Sequence, residues 1–372
     1  MSSSEVQPIP AARPVIGEEE IEAAVRVMRT GRVVQGPEVV AFEEGFAELV
    51  AGRHCVAVNS GTSALHLLLL ALGIGPGDEV IVPSFSFAAS ANAVRLVGAD
   101  VVFADIEPGT FGLDPAAVEA AITPRTAAIM PVHLYGNPAS MDKLMPIADK
   151  HKLAVVEDAC QAHAASLHGT PVGAFGSGGT FSFYPTKNMH SLEGGMISTG
   201  DAEIARTLRL LRNQGMEQRY ANEIVGANMR LTDVAAAVGR VQLGKLAGWT
   251  ERRRANAAYL DEHITAPGVV TPPVAEGAYH VYHQYTVRIT GDRDAAMAKL
   301  TEAGVGNAVY YPTPIHRLRP FWEPDQKAGR DWDLPETERA AAEVVSLPVH
   351  PSLSEGELER IATAVNELGE NL

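Results

Sequence analysis

The stretch VNSGTSALHLLLLALGIGPGDEVIVPSFSF, from Val58 to Phe87, decides the fold. It contains a strongly apolar helical segment after Ser60, a turn rich in glycine and proline, and the strand-like run EVIVP at residues 79–83. Short apolar runs that alternate with helical segments are typical of a mainly parallel sheet covered by helices. The stretch therefore predicts an α/β domain.

The alternation continues on the carboxyl side of this stretch. The following segments are a helical one near residues 88–96, the strand-like VVFADI and AAIMPVHLYG, a helix over 141–151, and the strands LAVVEDA, FSFY (181–184) and GGMIST (194–199). We predict that residues 1–250 form one large α/β domain with a mainly parallel, mixed sheet sandwiched by helices.

A smaller C-terminal α+β domain is predicted for residues 251–372. A helical region runs from about Leu231 towards Tyr259, and the stretch TAPGVVTPPVAEG that follows is dense in proline and glycine, as a boundary would be. Beyond it, HVYHQYTVRI alternates like a strand, and residues 294–304 and 354–368 carry apolar side chains at helical spacing.

Composition excludes several classes of protein. The chain has 372 residues and a formal net charge of −15, so a polyanion such as a nucleic acid would be repelled. The two cysteines, Cys55 and Cys160, cannot form a metal cluster by themselves and fit a reducing compartment. No export signal precedes the domain, and the longest apolar run is too short to span a membrane. We expect a cytoplasmic protein that binds neither nucleic acid nor membrane.

Lys187 is the strongest candidate for a chemically active amine. The chain has seven lysines, and six of them lie in polar helices or loops where a surface role is the default: Lys143, Lys150, Lys152, Lys245, Lys299 and Lys327. Lys187 instead follows the strand FSFY, at the carboxyl end where parallel sheets place functional groups. Partial burial there would lower the lysine pKa and favour formation of a Schiff base.

A Schiff-base lysine suggests pyridoxal 5′-phosphate, which also needs a carboxylate for its ring nitrogen and a partner for its phenolic oxygen. Asp158 ends the apolar run LAVVEDA, again at the carboxyl end of a strand. Its carboxylate could keep the pyridine nitrogen protonated, and Gln161 could reach the phenolic oxygen. These two residues are candidates for cofactor binding.

The same cofactor needs a phosphate site and a stacking partner. Gly61, Thr62 and Ser63 precede an apolar helix, where free N–H groups, hydroxyls and the positive helix end favour an anion. Taken alone, this motif is more often a simple helix cap. Ser182 in FSFY could add a hydroxyl, and Phe87 could lie on the cofactor ring, although a phenylalanine beside an apolar strand is usually core.

The histidines do not indicate a metal site. In HVYH the predicted strand places His280 and His283 on opposite faces, and neither His133 nor His163 has a partner at zinc-ligand spacing. His316, in the aromatic and proline-rich YYPTPIH, fits a pocket wall or a surface loop equally well. We predict no metal.

Together these residues resemble the DegT/StrS family of pyridoxal-phosphate-dependent nucleotide-sugar aminotransferases, in the aspartate aminotransferase superfamily of fold type I. The resemblance covers nearly the whole chain. Its motifs, in order, are VQGPEVVAFEEGFAELV, GTSALHLLLLALGIGPGDEVIVPSFSF, DIEP, PVHLYG, EDACQAHAA, FSFYPTKN and SLPVHPSLS. Several motifs in the right order are far more specific than any one of them.

The resemblance implies a role for each matching residue. Lys187 corresponds to the Schiff-base lysine, Asp158 and Gln161 to the ring contacts, Phe87 to the stacking residue, and the phosphate contacts are Thr62, Ser63 and Ser182. Asn228, in GANMRLTD, corresponds to an asparagine that reaches the phosphate pocket of the neighbouring subunit, which implies a homodimer with shared active sites. Tyr311 and His316 correspond to a loop that borders the sugar pocket. The segment KNMHSLEGG departs from the family pattern at His190, for which the resemblance implies no role.

The implied reaction moves an amino group from L-glutamate through pyridoxamine phosphate to a nucleotide-linked keto sugar. Family prevalence favours a TDP-4-keto-6-deoxyhexose. A 3-keto sugar nucleotide or a keto-cyclitol would require the same motifs. A related branch dehydrates sugars and replaces the lysine by histidine, so Lys187 favours transamination, and an intact site disfavours a binding protein without turnover. We expect Arg230, Arg317 and Arg319 to supply cations for the nucleotide diphosphate.

Overall fold

The protein is described by a computed structural model over residues 7–322 and 331–369. The α-helices in these residues are α1 (Glu18–Thr30), α2 (Pro37–Ala47), α3 (Gly61–Ala71), α4 (Ala89–Leu96), α5 (Pro115–Ala121), α6 (Met141–His151), α7 (Ala202–Arg212), α8 (Asp233–His263), α9 (Arg293–Glu302), α10 (Arg319–Trp322), α11 (Pro335–Glu343) and α12 (Glu355–Leu368). The strands are β1 (His54–Val58), β2 (Glu79–Pro83), β3 (Asp100–Ala104), β4 (Thr126–Ile129), β5 (Ala154–Asp158), β6 (Ser166–Leu167), β7 (Thr170–Pro171), β8 (Gly178–Ser182), β9 (Gly195–Thr199), β10 (Met216–Gln218), β11 (Ala221–Asn222), β12 (Val269–Val270), β13 (Ala278–Tyr279), β14 (Tyr285–Ile289) and β15 (Val344–Leu347).

The large domain is built on a seven-stranded sheet with the order β1-β9-β8-β5-β4-β2-β3 within the described residues. Pairings from β8 through β3 are parallel, whereas β9 runs antiparallel to both β8 and β1. Side chains of β2 alternate between two cores: Val80 and Val82 pack with the leucines of α3, and Ile81 packs with α6 on the other face. The predicted α/β class with a mainly parallel, mixed sheet is confirmed.

The C-terminal unit has its own three-stranded antiparallel sheet, β12-β14-β15, packed with α9, α12 and the second half of α8. The expected boundary between residues 250 and 251 falls inside α8, which is continuous from Asp233 to His263. Ile9 also belongs to this core and pairs with Val305. The residues around Ile9, expected in the large domain, therefore pack against the smaller unit.

The predicted strand HVYHQYTVRI is shorter than its alternation suggests. Strand β14 begins only at Tyr285, and residues 280–284 are irregular. The His280 and Tyr282 rings stack with centroids 3.9 Å apart, and Tyr282 has a φ of 44°. The prediction that His280 and His283 lie on opposite faces of a strand is therefore wrong, since this backbone turns towards the large domain.

The two units are joined by a half-buried carboxylate. Asp105 follows β3, and its carboxylate accepts hydrogen bonds from the backbone N–H groups of Glu336 (2.9 Å) and Thr337 (2.8 Å) and from the Thr337 hydroxyl (2.8 Å). It thus caps the N-terminus of α11 from the other unit, where free N–H groups and the helix dipole favour a negative charge.

No helix in residues 7–322 or 331–369 has the length and apolar character needed to cross a membrane.

We expect Asp105→Ala to lower the free energy of unfolding by about 1–3 kcal/mol, because three hydrogen bonds to a charged group are lost. Urea denaturation followed by circular dichroism measures the change. The matched control is Asp114→Ala, which removes the cap of α5, a single bond to Ala116 on the surface. Equal losses in the two variants would show that Asp105 is no more than a local cap.

Candidate active site

A cavity of about 470 Å³ opens where the carboxyl ends of β2, β5 and β8 meet the N-terminus of α3. Its wall includes Thr62, Phe87, Asp158, Gln161 and Lys187. Parallel strands place their carboxyl ends at one edge of the sheet, which explains why residues distant in sequence meet there. The sequence predicted these residues one motif at a time, and the fold brings them together.

Asp158 is a buried carboxylate with fixed orientation. One oxygen, Oδ2, accepts a hydrogen bond of 2.8 Å from the Ser90 hydroxyl, and Oδ1 accepts one of 3.2 Å from the Cys160 backbone N–H. Ser86 and Ser90 pair at 2.9 Å, and Ser86 lines the cavity. Because the Ser90 hydrogen is donated to Asp158, the Ser86 hydroxyl must donate to Ser90. The chain of hydroxyls holds the carboxylate towards the cavity.

Lys187 also lines the cavity and is half-buried, in a turn closed by a 2.9 Å bond from its backbone N–H to the Tyr184 carbonyl. Desolvation lowers the pKa of its amine below the ordinary value, and the charge of Asp158 partly opposes this shift. Burial also raises the pKa of the Cys160 thiol well above its usual range, so this cysteine stays neutral. The cavity therefore favours the uncharged, nucleophilic form of one lysine.

The N-terminus of α3 points into the cavity through Ser60, Gly61 and Thr62, with Ser182 beside it. Ser60 is the N-cap, since its hydroxyl oxygen accepts a 3.1 Å bond from the Ser63 backbone N–H. Ser63 pairs with the Ser60 hydroxyl at 2.9 Å and is absent from the cavity wall formed by the described residues. From this turn the structure thus places Ser60, and not Ser63, among the described residues of the cavity wall.

Gly61 allows the helix to approach the sheet. A Cβ atom at this position would lie 2.8 Å from the Cβ of Ser182 and 2.9 Å from the Sγ of Cys160. Such distances are too short for carbon, so any larger residue would push the first turn of α3 away from the strand ends.

An aromatic and amide wall faces these groups. Phe87 is 57% exposed and lines the cavity, whereas its neighbour Phe85 is fully buried, so Phe87 is not a core residue. Its ring lies 5.8 Å from that of Tyr311, at an angle of 37°. Gln161 is fixed at both ends: Oε1 accepts from the Tyr135 backbone N–H at 2.8 Å, and Nε2 donates to the Tyr311 hydroxyl at 3.0 Å.

Other predicted binding residues lie outside this cavity. The His316 ring bridges the two units, with Nδ1 2.7 Å from the Ser84 hydroxyl and Nε2 2.9 Å from Glu338. Arg317 is exposed and donates to the same Glu338 at 2.7 Å. Arg319 is also exposed. The prediction that His316 borders the substrate pocket is thus not supported by its position, since its polar atoms serve the contact between the units.

Asn228 and Arg230 lie on the far side of β1, in the segment that precedes α8. Asn228 is exposed, and Arg230 donates a 2.8 Å bond to Asn213. Neither residue lines the cavity of its own chain among the described residues. Their roles stay predictions.

The remaining sequence candidates have structural partners. Lys143, Lys150 and Lys245 pair with glutamates on the surface, and Lys327 lies outside the described residues. His190, for which no role was predicted, donates from Nε2 to the Val15 carbonyl at 3.3 Å and so holds the N-terminal segment. Within residues 7–322 and 331–369 no group of three or more His, Cys, Asp or Glu side chains could hold a metal ion.

Sequence reasoning missed Ser90 and His283. Ser90 supports Asp158 from 68 positions away, and His283 lines the cavity from the C-terminal unit. A serine on the inner face of α4 was a weak signal for the first residue. For His283 the sequence carried no signal, because the alternation predicted a strand and did not show that this segment contacts the large domain.

Comparison with known proteins agrees with this site. Residues 14–366 match the DegT/DnrJ/EryC1/StrS aminotransferase family. The dTDP-3-amino-3,4,6-trideoxy-alpha-D-glucose transaminase of Streptomyces venezuelae is 45% identical over 95% of this chain and 93% of that protein. The UDP-N-acetyl-3-dehydro-alpha-D-glucosamine 3-aminotransferase of Acidithiobacillus ferrooxidans is 42% identical over 91% of each chain. The crystal structure of S. venezuelae DesV in complex with a ketimine intermediate is 42% identical, has a TM-score of 0.91 and covers 98% of this chain and 100% of that one.

The match to the family extends over nearly the whole sequence, and the fold and the wall of the cavity agree with it. The chain belongs to the DegT/DnrJ/EryC1/StrS aminotransferase family.

Proposed function

We propose that the protein is a pyridoxal-phosphate-dependent aminotransferase that moves an amino group from L-glutamate to a nucleotide-linked keto sugar. The observation that carries the proposal is the position of Lys187 and Asp158 on the wall of one cavity that the N-terminus of α3 also enters. A nucleophilic amine, a buried carboxylate and an anion site are the three features that this cofactor needs.

The residues present fit the cofactor. The helix end with the Thr62 and Ser182 hydroxyls suits a phosphate, and the close approach at Gly61 keeps these groups together. Asp158 would hold the ring nitrogen, Phe87 offers a ring face, and the Gln161 amide would lie towards the phenolic oxygen. When bound, pyridoxal phosphate supplies a ring that accepts the electrons of a carbanion.

Lys187 has two tasks in this site. It binds the cofactor covalently at rest, and its free amine moves a proton at the substrate carbon during transfer. Its lowered pKa suits both tasks, since the neutral amine is the reactive form. A positioned acid or base of this kind contributes about 10²–10⁴-fold to the rate.

The names of two relatives bear on the acceptor. The Streptomyces relative forms a 3-amino sugar nucleotide and the Acidithiobacillus relative is a 3-aminotransferase, so they favour a 3-keto sugar over the 4-keto-6-deoxyhexose expected from family prevalence. We therefore infer that the acceptor substrate is a nucleotide-linked keto hexose, and we favour the 3-keto isomer over the 4-keto isomer. The keto-cyclitol and dehydration reactions stay alternatives that the same assay separates.

Titration of the purified protein tests both half-reactions. We expect a visible absorbance band of bound cofactor that L-glutamate bleaches, because the amino group is transferred to the cofactor, and that a TDP-linked 3-keto sugar restores. Lys187→Ala should lack the band, since no covalent link can form. Restoration by the 4-keto isomer alone would reverse our preference, and the absence of a band with added cofactor would contradict the enzymatic function.

We expect Gly61→Ala to weaken cofactor binding by about 10–100-fold, because an overpacked contact costs about 1–3 kcal/mol and displaces the phosphate site. A fluorescence titration of the cofactor-free protein measures the dissociation constant. Gly244→Ala in α8 is the matched control, since a Cβ there meets nothing within 4 Å. An unchanged constant in Gly61→Ala would contradict the assignment of the phosphate site.

The distribution of cations supports a homodimer with shared sites. Lys187 is the sole cation among the described residues that line the cavity, yet glutamate and a nucleotide diphosphate are anions. Asn228 and Arg230 lie outside the cavity of their own chain, as residues directed at a neighbouring subunit would. We propose that a second copy of this chain completes each site.

Mixing two inactive variants tests the shared site. Lys187→Ala and Asn228→Asp homodimers should each be nearly inactive, the second because a carboxylate repels the cofactor phosphate. After subunit exchange, heterodimers would contain one intact site, so activity should recover to about one quarter of the native value. Size-exclusion chromatography confirms the exchange of subunits. A mixture that stays inactive would place Asn228 outside the partner's site.

A further inference from the structure

His283 lies on the wall of the active-site cavity, and the proposed chemistry gives it no task. Its side chain is buried, with 6% exposed. It belongs to the irregular segment 280–284, which crosses from the C-terminal unit to the large domain. A buried histidine beside a reactive lysine requires a physical account, because its polar ring loses hydration on burial.

The backbone of His283 is fixed from two sides. Buried Arg253 of α8 donates to the carbonyl oxygens of Tyr282 (3.1 Å) and His283 (3.4 Å). On the other side the Val281 N–H donates to the Gly136 carbonyl at 3.0 Å. Gly136 has a φ of 90°, and a Cβ there would lie 2.9 Å from the His283 nitrogen. The segment is therefore held tightly against the loop after β4.

Asn188 determines which ring nitrogen of His283 carries the proton. The Asn188 amide nitrogen donates to the Val281 carbonyl at 3.0 Å, so its Oδ1 is the atom that faces His283 Nδ1, at 3.2 Å. A carbonyl oxygen only accepts, and Nδ1 must therefore be the donor. The ring is left with an unprotonated Nε2, which has no hydrogen-bond partner among residues 7–322 and 331–369.

The surroundings keep this ring neutral. Burial lowers the pKa of His283 well below its ordinary value, and the charges of Lys187 and Arg253, with the neighbouring His163, lower it further. His163 is itself fully buried against Phe181 and Phe183, and its pKa is lowered to about 3. No proton is taken up by either ring near neutral pH, so Nε2 of His283 remains an acceptor.

We propose that His283 is a positioning residue for Lys187: its unpartnered Nε2 accepts a hydrogen bond from the amine of Lys187 when that amine is released from the cofactor. The inference rests on the proposed function for its consequence, since it concerns the half of the cycle in which Lys187 is released. Asn188 follows Lys187 in sequence and His283 lines the same cavity as Lys187, so the pair would link the orientation of the amine to the C-terminal unit.

Such an acceptor meets a need of the lysine side chain. Four rotatable carbon–carbon bonds give the amine many positions, and ordering it costs conformational entropy. A single fixed acceptor selects the positions from which the amine can reach a substrate carbon, and correct orientation is a large part of catalysis. The acceptor is neutral, so it orients the amine without binding its proton.

The test measures the pKa of Lys187 directly. In the full-length dimer loaded with pyridoxamine phosphate, the amine of Lys187 is free, and cyanate carbamylates it only when it is deprotonated. Peptide mass spectrometry across a pH series gives the midpoint for this lysine. We expect His283→Phe to lower the midpoint by about one pH unit, because a hydrogen bond to the ammonium form is lost. We also expect kcat to fall by about 10–100-fold with little change in KM for glutamate.

Four further variants separate positioning from folding. His283→Gln restores an acceptor oxygen and should recover part of both losses, whereas His280→Phe, buried in the same segment but outside the described cavity wall, should leave the midpoint native. Asn188→Asp should raise the pKa of His283. The rate with glutamate would then fall as pH drops through that pKa, and Asn188→Asp with His283→Gln should lack this limb.

An unchanged midpoint in His283→Phe, or equal shifts in His283→Phe and His280→Phe, would overturn the proposal. An unchanged midpoint with a raised KM for the keto sugar would overturn it in favour of a sugar contact. If His283→Phe does not fold, the pH dependence of the rate in Asn188→Asp tests the proposal instead. A fall in rate at acidic pH would support it, and the absence of that fall would overturn it. Carbamylation does not require turnover, so failure of the proposed function would be recognised separately, by an inactive native protein.

Discussion

The active site depends on the close approach of α3 to the ends of β8 and β9. A Cβ at Gly195 would lie 2.3 Å from the Ser60 carbonyl oxygen, and a Cβ at Gly61 would lie 2.8 Å from that of Ser182. Two glycines on facing elements therefore allow backbone to pack on backbone. This contact brings the free N–H groups of a helix end to the same edge of the sheet as Asp158 and Lys187, and so permits an anion site next to a reactive amine.

Charge in this interior is handled by a few specific bonds. The Asp158 carboxylate is buried but accepts from a hydroxyl and a backbone N–H, which offset part of its desolvation. Lys187 lacks such compensation, and its pKa falls. The buried rings of His163 and His283 remain neutral beside it. Burial thus lowers the pKa of the lysine while the charge of Asp158 partly opposes this effect, which suits an amine that alternates between nucleophile and base.

The C-terminal unit is part of the site, because it contributes Tyr311 and His283 to the cavity wall. Asp105, the Ser84–His316 pair and the carbonyl contacts of Arg253 hold that unit in place. These contacts are polar and wholly or partly buried, so they fix direction as well as distance. The geometry at Lys187 therefore depends on residues that belong to either unit.

The sequence alone determined the features that depend on local pattern. Apolar runs and helical spacing predicted β2, β5, α3 and α6, and the position of Asp158 and Lys187 after apolar strands predicted that they would meet. This inference succeeds because side-chain periodicity and the parallel sheet rule are properties of neighbouring residues. The mainly parallel fold and the principal candidates of the site could be predicted in this way.

Only the tertiary structure decided the details that depend on distant partners. Ser60 rather than Ser63 faces the cavity, Ser90 orients Asp158 across 68 positions, and His283 meets Asn188 across 95. The pairing of Ser84 with His316, 232 positions apart, places the His316 ring at the contact between the two units. Local alternation could not show that residues 280–284 leave the strand, since their course is determined by bonds to Gly136 and Arg253. Hydrogen bonds over such separations form only when the chain is folded, and no pattern in neighbouring residues records them.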